Sequence, residues 1–114
     1  MRITNATRQK ELASNAWAAR GFWPRLVGLL GRAHLAPGEA LLLEPCNSVH
    51  TVFMRFTIDV LYVDRSDRVV KAVPKMKPFR MSGMLRTDCK VVELPSGTIE
   101  RTGTEAGDQL SFES

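Results

Sequence analysis

The stretch Cys46–Asp64, CNSVHTVFMRFTIDVLYVD, decides the fold. From Val49 to Val63 it repeats every second residue, the spacing of a β-strand whose side chains point to alternate faces. His50, Val52, Met54, Phe56, Ile58, Val60 and Tyr62 share one parity, and that side is apolar beyond His50. The other parity carries Thr51, Phe53, Arg55, Thr57 and Asp59 before turning apolar at Leu61 and Val63. So long a run exceeds an ordinary strand. The spacing therefore predicts a break near Arg55–Thr57 and two strands.

The flanks read in the same style. Residues 10–20, KELASNAWAAR, show no helical stripe and read as extended. Residues 22–31, FWPRLVGLLG, place Trp23, Leu26, Val27 and Leu30 on one face of a helix. Pro24 suits its first turn, and Gly31 suits its end. Pro37–Gly38 is a turn before a buried strand, Ala40–Glu44, which Pro45 stops. Asp64–Arg68 is a turn and VVKAV a strand, so residues 58–73 should form a hairpin. Residues 74–88 hold two prolines, a glycine and three methionines with no clean period, which predicts a long irregular loop. KVVELP is a strand, SGTIERTG a single helical turn, and AGDQLSFE a closing strand entered through Gly107–Asp108. The expected fold is α+β and β-rich, one domain over residues 1–114. It is a small, partly closed, barrel-like sheet with one main helix packed across it.

Four blocks resemble a small prokaryotic family, domain of unknown function number 192. They are WPRLVGLLGR, GEALLLEPCNSVHTVFMRFTIDVLYVD, VVELPSGT and GTEAGDQL, in that order over nearly the whole chain. The resemblance implies a compact barrel-like domain with a flanking helix, and it implies no reaction and no cofactor. GDQL is similar to the Gly-Asp turns of cradle-loop barrels, by analogy only. The family often has Pro where Thr57 stands and favours Ala where Ser96 stands, and many of its members look secreted.

Bulk properties narrow the function classes. The chain has 114 residues, 44% of them hydrophobic and 25% charged, an ordinary globular composition. No apolar run is long enough to span a bilayer. The first residues lack a continuous apolar secretory core, so the cytoplasm is the expected compartment. Two cysteines, Cys46 and Cys89, are too few for a disulfide scaffold. The net charge of +4 is uneven. Residues 65–90 hold eight basic side chains against two acidic ones, a local excess that attracts anions or a phosphate backbone unless it is simply a solvated surface.

Several constellations offer chemistry. Cys46 and His50 would be about 13 Å apart on a straight strand, too far for a thiolate–imidazole pair. Cys46, Cys89, His34 and His50 show none of the usual zinc-ligand spacings, so no metal or other cofactor is expected. Asp59 lies among Ile58, Val60 and Leu61, so it should be buried and require a partner. That partner is either a structural cation or backbone group, or a ligand in a polar pocket with Thr51 and Arg55. Met76, Met81 and Met84 read either as core filling or as a pliable contact surface.

These readings converge on a small binding domain. The expected ligand is an anionic or polar small molecule held by His50, Thr51, Arg55 and Asp59, with Arg80 in the nearby basic loop. Two alternatives belong to other classes. One is a hydrolase or transferase with His50 or Asp59 as general base. The other is a nucleic-acid accessory protein acting through residues 65–90, for which RNA-binding motifs are missing.

Overall fold

A computed structural model describes residues 1–19, 35–43, 56–77 and 90–114. Among these residues the chain forms eight strands and one short helix. The strands are β1 (Arg2–Asn5), β2 (Lys10–Ala13), β3 (Asn15–Ala19), β4 (Glu39–Leu43), β5 (Ile58–Val63), β6 (Val69–Met76), β7 (Lys90–Pro95) and β8 (Leu110–Glu113). The helix, α1, is Thr98–Thr102. The helix expected over residues 22–31 lies outside the described residues, as does most of the predicted loop 74–88.

The strands make two sheets, β2-β1-β8 and β3-β4-β7-β5-β6. In the larger sheet only β3 and β4 run parallel; the other pairs are antiparallel. Two seams join the sheets. At one, the Ala16 N–H donates to the Met1 carbonyl at 2.9 Å, which ties β3 to the start of β1. At the other, Arg68 bridges Gln109, and the Val69 N–H donates to the Asp108 carbonyl at 2.8 Å. The result is barrel-like and partly closed, without a continuous ring of strands among the described residues.

Local chemistry sets the turns. In the β5–β6 hairpin, Asp64 Oδ1 accepts the Ser66 and Arg68 N–H groups, the Asx-turn use of a short carboxylate. Gly38 has φ +87°, and an added Cβ would meet Ser14 Oγ at 3.1 Å. Its carbonyl accepts the N–H groups of both Ser14 and Asn15, so this turn also fixes the step from β2 to β3.

One core lies between the sheets, built from Ile3, Leu12, Leu42, Leu61, Val92 and Ile99 among others. A second cluster, with Leu35, Leu41, Ile58, Val60, Tyr62 and Val91, occupies the opposite face of the larger sheet. Strand β5 is consequently buried at all six positions. The sequence turns apolar on both parities at this point, and Leu61 and Val63 fill one core while Val60 and Tyr62 fill the other. A central strand covered on both faces reads as a nearly continuous apolar run. Each of these side chains contributes roughly 1.5–3 kcal/mol by burial.

Strand β6 runs further than VVKAV. It continues through Pro74 to Met76, because it is an edge strand and a missing N–H is tolerated there. Lys75 adopts φ +52°, where the pairing with β5 is irregular. Met76 is buried in the second cluster, so at this position a methionine fills the core.

Candidate functional site: a buried acid on the outer face of the larger sheet

Two acidic residues sit in the centre of the larger sheet, and they face opposite ways. Asp59 shares its side with Leu61 and Val63, facing the smaller sheet and α1. It is fully buried. Its Oδ2 accepts the Ile99 N–H at 2.7 Å and its Oδ1 accepts the Lys75 N–H at 2.9 Å. The residue before the helix is Gly97, which offers no side-chain cap. Asp59 therefore satisfies an orphan helix-start donor from a distant strand. Its second bond holds the irregular backbone of β6.

Glu93 occupies the other face. It stands between Leu41 on β4 and Val60 on β5, in the middle of the sheet. Only 1% of it is exposed. Its Oε2 has no hydrogen-bond partner among the described residues. Burial pushes its carboxyl up to about 8, so the acid is mainly protonated at neutral pH. Tyr62, opposite Val91, is its diagonal neighbour on the same face. Ladder geometry puts their Cα atoms on the order of 7 Å apart. At the edge of this face Lys71 Nζ lies 5.9 Å from the Tyr62 ring centroid.

A third polar cluster joins the chain ends and is internally satisfied. Asp108 Oδ2 accepts hydrogen bonds from Arg8 Nε at 2.6 Å, Asn5 Nδ2 at 2.9 Å and the Glu105 N–H at 3.1 Å. Asn5 Nδ2 also reaches Thr104 Oγ1 at 3.1 Å, and Arg8 Nη2 pairs with Glu105 at 2.8 Å. Burial pushes the Asp108 carboxyl up, and the bonds from Arg8, Asn5 and Glu105 more than offset this, so it lies below the ordinary range. This is the Gly107–Asp108 turn that the sequence marks as the entrance to β8. Its bonds tie β1 to β8 and serve the fold.

Of the residues read from the sequence as ligand-binding, His50, Thr51, Arg55 and Arg80 lie outside the described residues. Asp59 is described, and both of its oxygens engage backbone N–H groups. Cys46, Cys89 and His34 are likewise outside. Among the described residues no group of histidine, cysteine and carboxylate side chains could hold a metal ion. Nor is any described helix long and apolar enough to cross a membrane. Sequence reading passed over Glu93 as an ordinary residue of KVVELP. The signal was there: a lone acid inside a continuous apolar run, which two-residue spacing places on the same side as Val91.

The basic stretch is partly engaged. Arg65, Arg68, Lys71, Lys75 and Lys77 are exposed. Lys90 pairs with Asp67, Lys75 lies 3.5 Å from Glu100, and Arg68 donates to the Gly107 carbonyl at 3.0 Å.

Comparison with known proteins places these features in a family. The chain is 32% identical over 116 residues to the UPF0127 protein PF1050 of Pyrococcus furiosus, covering 96% of this chain and 97% of that one. It is 27% identical to a UPF0127 protein of Thermococcus sibiricus, covering 97% of this chain and 74% of the relative. A solved protein of unknown function from Novosphingobium aromaticivorans shares the fold with a TM-score of 0.79 at 18% identity, over 97% of this chain and 82% of its own. A second solved chain, from Sinorhizobium meliloti and described as a "putative transcription regulator", matches with a TM-score of 0.75 at 22% identity, over 96% of this chain and 89% of its own. The family model DUF192, described as "Uncharacterized ACR", matches residues 3–112, and the chain belongs to that family.

Proposed function

We propose that this chain is a small binding domain, acting in the cytoplasm, that takes an anionic or polar small molecule. The observation that supports this reading is Glu93. A polar atom buried without a partner costs about 1–3 kcal/mol. Such a group in a folded protein calls for an explanation, and a ligand that supplies the missing hydrogen bond is one. The neighbours of Glu93 on this face, Leu41, Val60 and Val91, are apolar and buried. In this reading His50, Thr51, Arg55 and Arg80 supply further polar contacts. Asp59 acts as a positioning residue, because its oxygens hold α1 and β6.

The test is a thermal-shift screen of phosphorylated, carboxylated and carboxamide metabolites, since a ligand that binds the native state raises the melting temperature. A compound that stabilises the parent chain and fails to stabilise Arg55→Ala, Arg80→Ala and Glu93→Leu, the arginine variants keeping the parent's urea midpoint and Glu93→Leu matching or exceeding it, supports the reading. A screen in which no compound shifts the melting temperature overturns it.

A second reading draws on the basic stretch. Five described cations between Arg65 and Lys77 are exposed, and the Sinorhizobium protein is described in terms of transcription. Binding to duplex DNA that falls steeply with salt, and weakens on charge reversal at Lys71 and Lys77, would favour an accessory role with nucleic acid.

A further inference from the structure

Resting on the nucleic-acid reading above, we propose that the rim of the larger sheet along β6 grips the phosphates of a nucleic-acid duplex from both flanks, without reading bases. Three observations carry this. The first is where the cations point. Lys71 stands opposite Tyr62, and its Nζ lies 5.9 Å from that ring centroid, on the outer face of the sheet. Lys75 Nζ lies 3.5 Å from Glu100 of α1, on the face that packs towards the smaller sheet. Residues four apart on a regular strand would share one face. Here β6 takes three steps from Val73 to Met76 while β5 takes two from Val60 to Ile58, and Lys75 adopts φ +52°. That bulge re-aims Lys75 to the flank opposite Lys71. The sheet therefore ends in a rim with cations on both sides.

The second observation is the excess of charge. Between residues 64 and 77 the cations are Arg65, Arg68, Lys71, Lys75 and Lys77, all exposed. The run holds two acids, and both are engaged: Asp64 accepts backbone N–H groups in its turn, and Asp67 pairs with Lys90. Glu100 competes for Lys75, in a pair that is largely exposed and therefore weak. The third observation separates this surface from other modes of binding. Pro74 has no N–H, the Lys75 N–H is held by Asp59, and the Val69 N–H is held by the Asp108 carbonyl. The rim is thus poorly furnished to pair with an added strand. The exposed large hydrophobic side chains among the described residues are Val70 and Trp17, and Trp17 lies on β3, at the opposite edge of this sheet. Among the described residues the rim therefore offers no aromatic platform for unstacked bases. It offers charge at fixed positions, which suits the phosphates of a duplex and is indifferent to sequence.

Short fluorescent DNA duplexes of unrelated sequence, titrated with the full chain and followed by anisotropy across a salt series, decide the matter. Roughly three to five phosphate contacts give a slope of log affinity against log salt of about −2.7 to −4.5. Affinity should then fall about 40- to 500-fold from about 50 to 200 mM salt, alike for every sequence. Lys71→Gln and Lys75→Gln, one on each flank, should each make the slope shallower by about one, whereas Lys10→Gln on β2 should leave it unchanged. Glu100→Gln releases Lys75 and should tighten binding about two- to fivefold. All four side chains are exposed, so the urea midpoints of these variants should match the parent's. An unchanged slope in Lys75→Gln, or no gain in Glu100→Gln, overturns the two-flank rim. If Lys71→Gln weakens binding in that case, the nucleic-acid reading stands and only this inference falls. A strong preference for one duplex sequence also overturns it, as does tighter binding to single strands, to polyglutamate or to phosphatidylglycerol vesicles. No binding to any duplex even at low salt removes the inference and the nucleic-acid reading together.

Discussion

Asp59 on β5 accepts the Ile99 N–H at 2.7 Å, so a side chain forty residues upstream begins a helix whose own preceding residue is glycine. The same carboxylate reaches the Lys75 N–H at 2.9 Å. One buried group thus fixes the register of β5 against β6 and the placement of α1 on the sheet.

Asp59→Ala should therefore cost about 2–6 kcal/mol, because a buried and a part-buried backbone donor each forfeit about 1–3 kcal/mol. Asp59→Asn should cost less, since its carbonyl oxygen still serves one donor. Urea titration of the two variants checks this. A loss below about 1 kcal/mol in the alanine variant would show that the carboxylate is not what holds α1.

Glu93 predicts an unusual loss of stability from mildly acidic to slightly alkaline pH. Its folded value, about 8, lies above the unfolded value of 4.5. The unfolded chain thus releases this proton first as pH rises, and stability is lost between those two values at up to about 1.4 kcal/mol per pH unit. Above about pH 8 both states are ionised and the loss levels off. Glu93→Gln should flatten this limb while the parent chain declines from pH 5 to 8. Midpoints of denaturant unfolding across that range measure it. Parallel curves for the two proteins would mean that the acid ionises as freely folded as unfolded.

The sequence made most strands legible because their chemistry is local. VVELP, ALLL and IDVLYV are runs rich in β-branched and aliphatic side chains between turn residues. It did not reveal β1, since Arg2–Asn5 is short and polar, and its burial comes from strands near the other end of the chain. It also stopped β6 at Pro74, for a proline is acceptable there only because β6 is an edge, which is a property of the finished sheet. The site was harder. A period of two assigns sides to β5, but it cannot say that both sides are covered. Hence Asp59 was legible as a buried acid with a partner, while the identity of that partner was not. Glu93 was legible as a strand residue, but its isolation depends on Leu41 and Val60, which flank it from strands that are distant in sequence.

Asp108 predicts the acid limb. Its carboxyl is held below its ordinary range by Arg8, Asn5 and the Glu105 N–H, against the opposing effect of burial. A depressed folded value contributes stability that is present above the unfolded value of 3.8 and lost as pH falls through the folded one. Asp108→Asn keeps the shape and an acceptor oxygen but removes the charge. It should cost about 2 kcal/mol at neutral pH, in the range for hydrogen bonds to a charged group. Its disadvantage should shrink as the pH drops below 3.8. Denaturant midpoints for the two proteins that stay equally far apart down to strongly acidic pH would remove Asp108 as the source of the acid sensitivity.

Lys75 carries backbone strain that substitution can isolate. Its φ of +52° is a conformation that glycine adopts without the steric penalty borne by L side chains. Its N–H must remain, because Asp59 uses it. Its ammonium is 3.5 Å from Glu100, with both side chains largely exposed, so that pair contributes little. Lys75→Ala removes the ammonium and keeps the strain, whereas Lys75→Gly removes both. The glycine variant should exceed the alanine variant in stability by about 1 kcal/mol, even though glycine gives the unfolded chain more freedom. Equal stability, or an advantage for alanine, would show that β6 relaxes this residue out of the left-handed region and that the hydrogen bond to Asp59 does not depend on it.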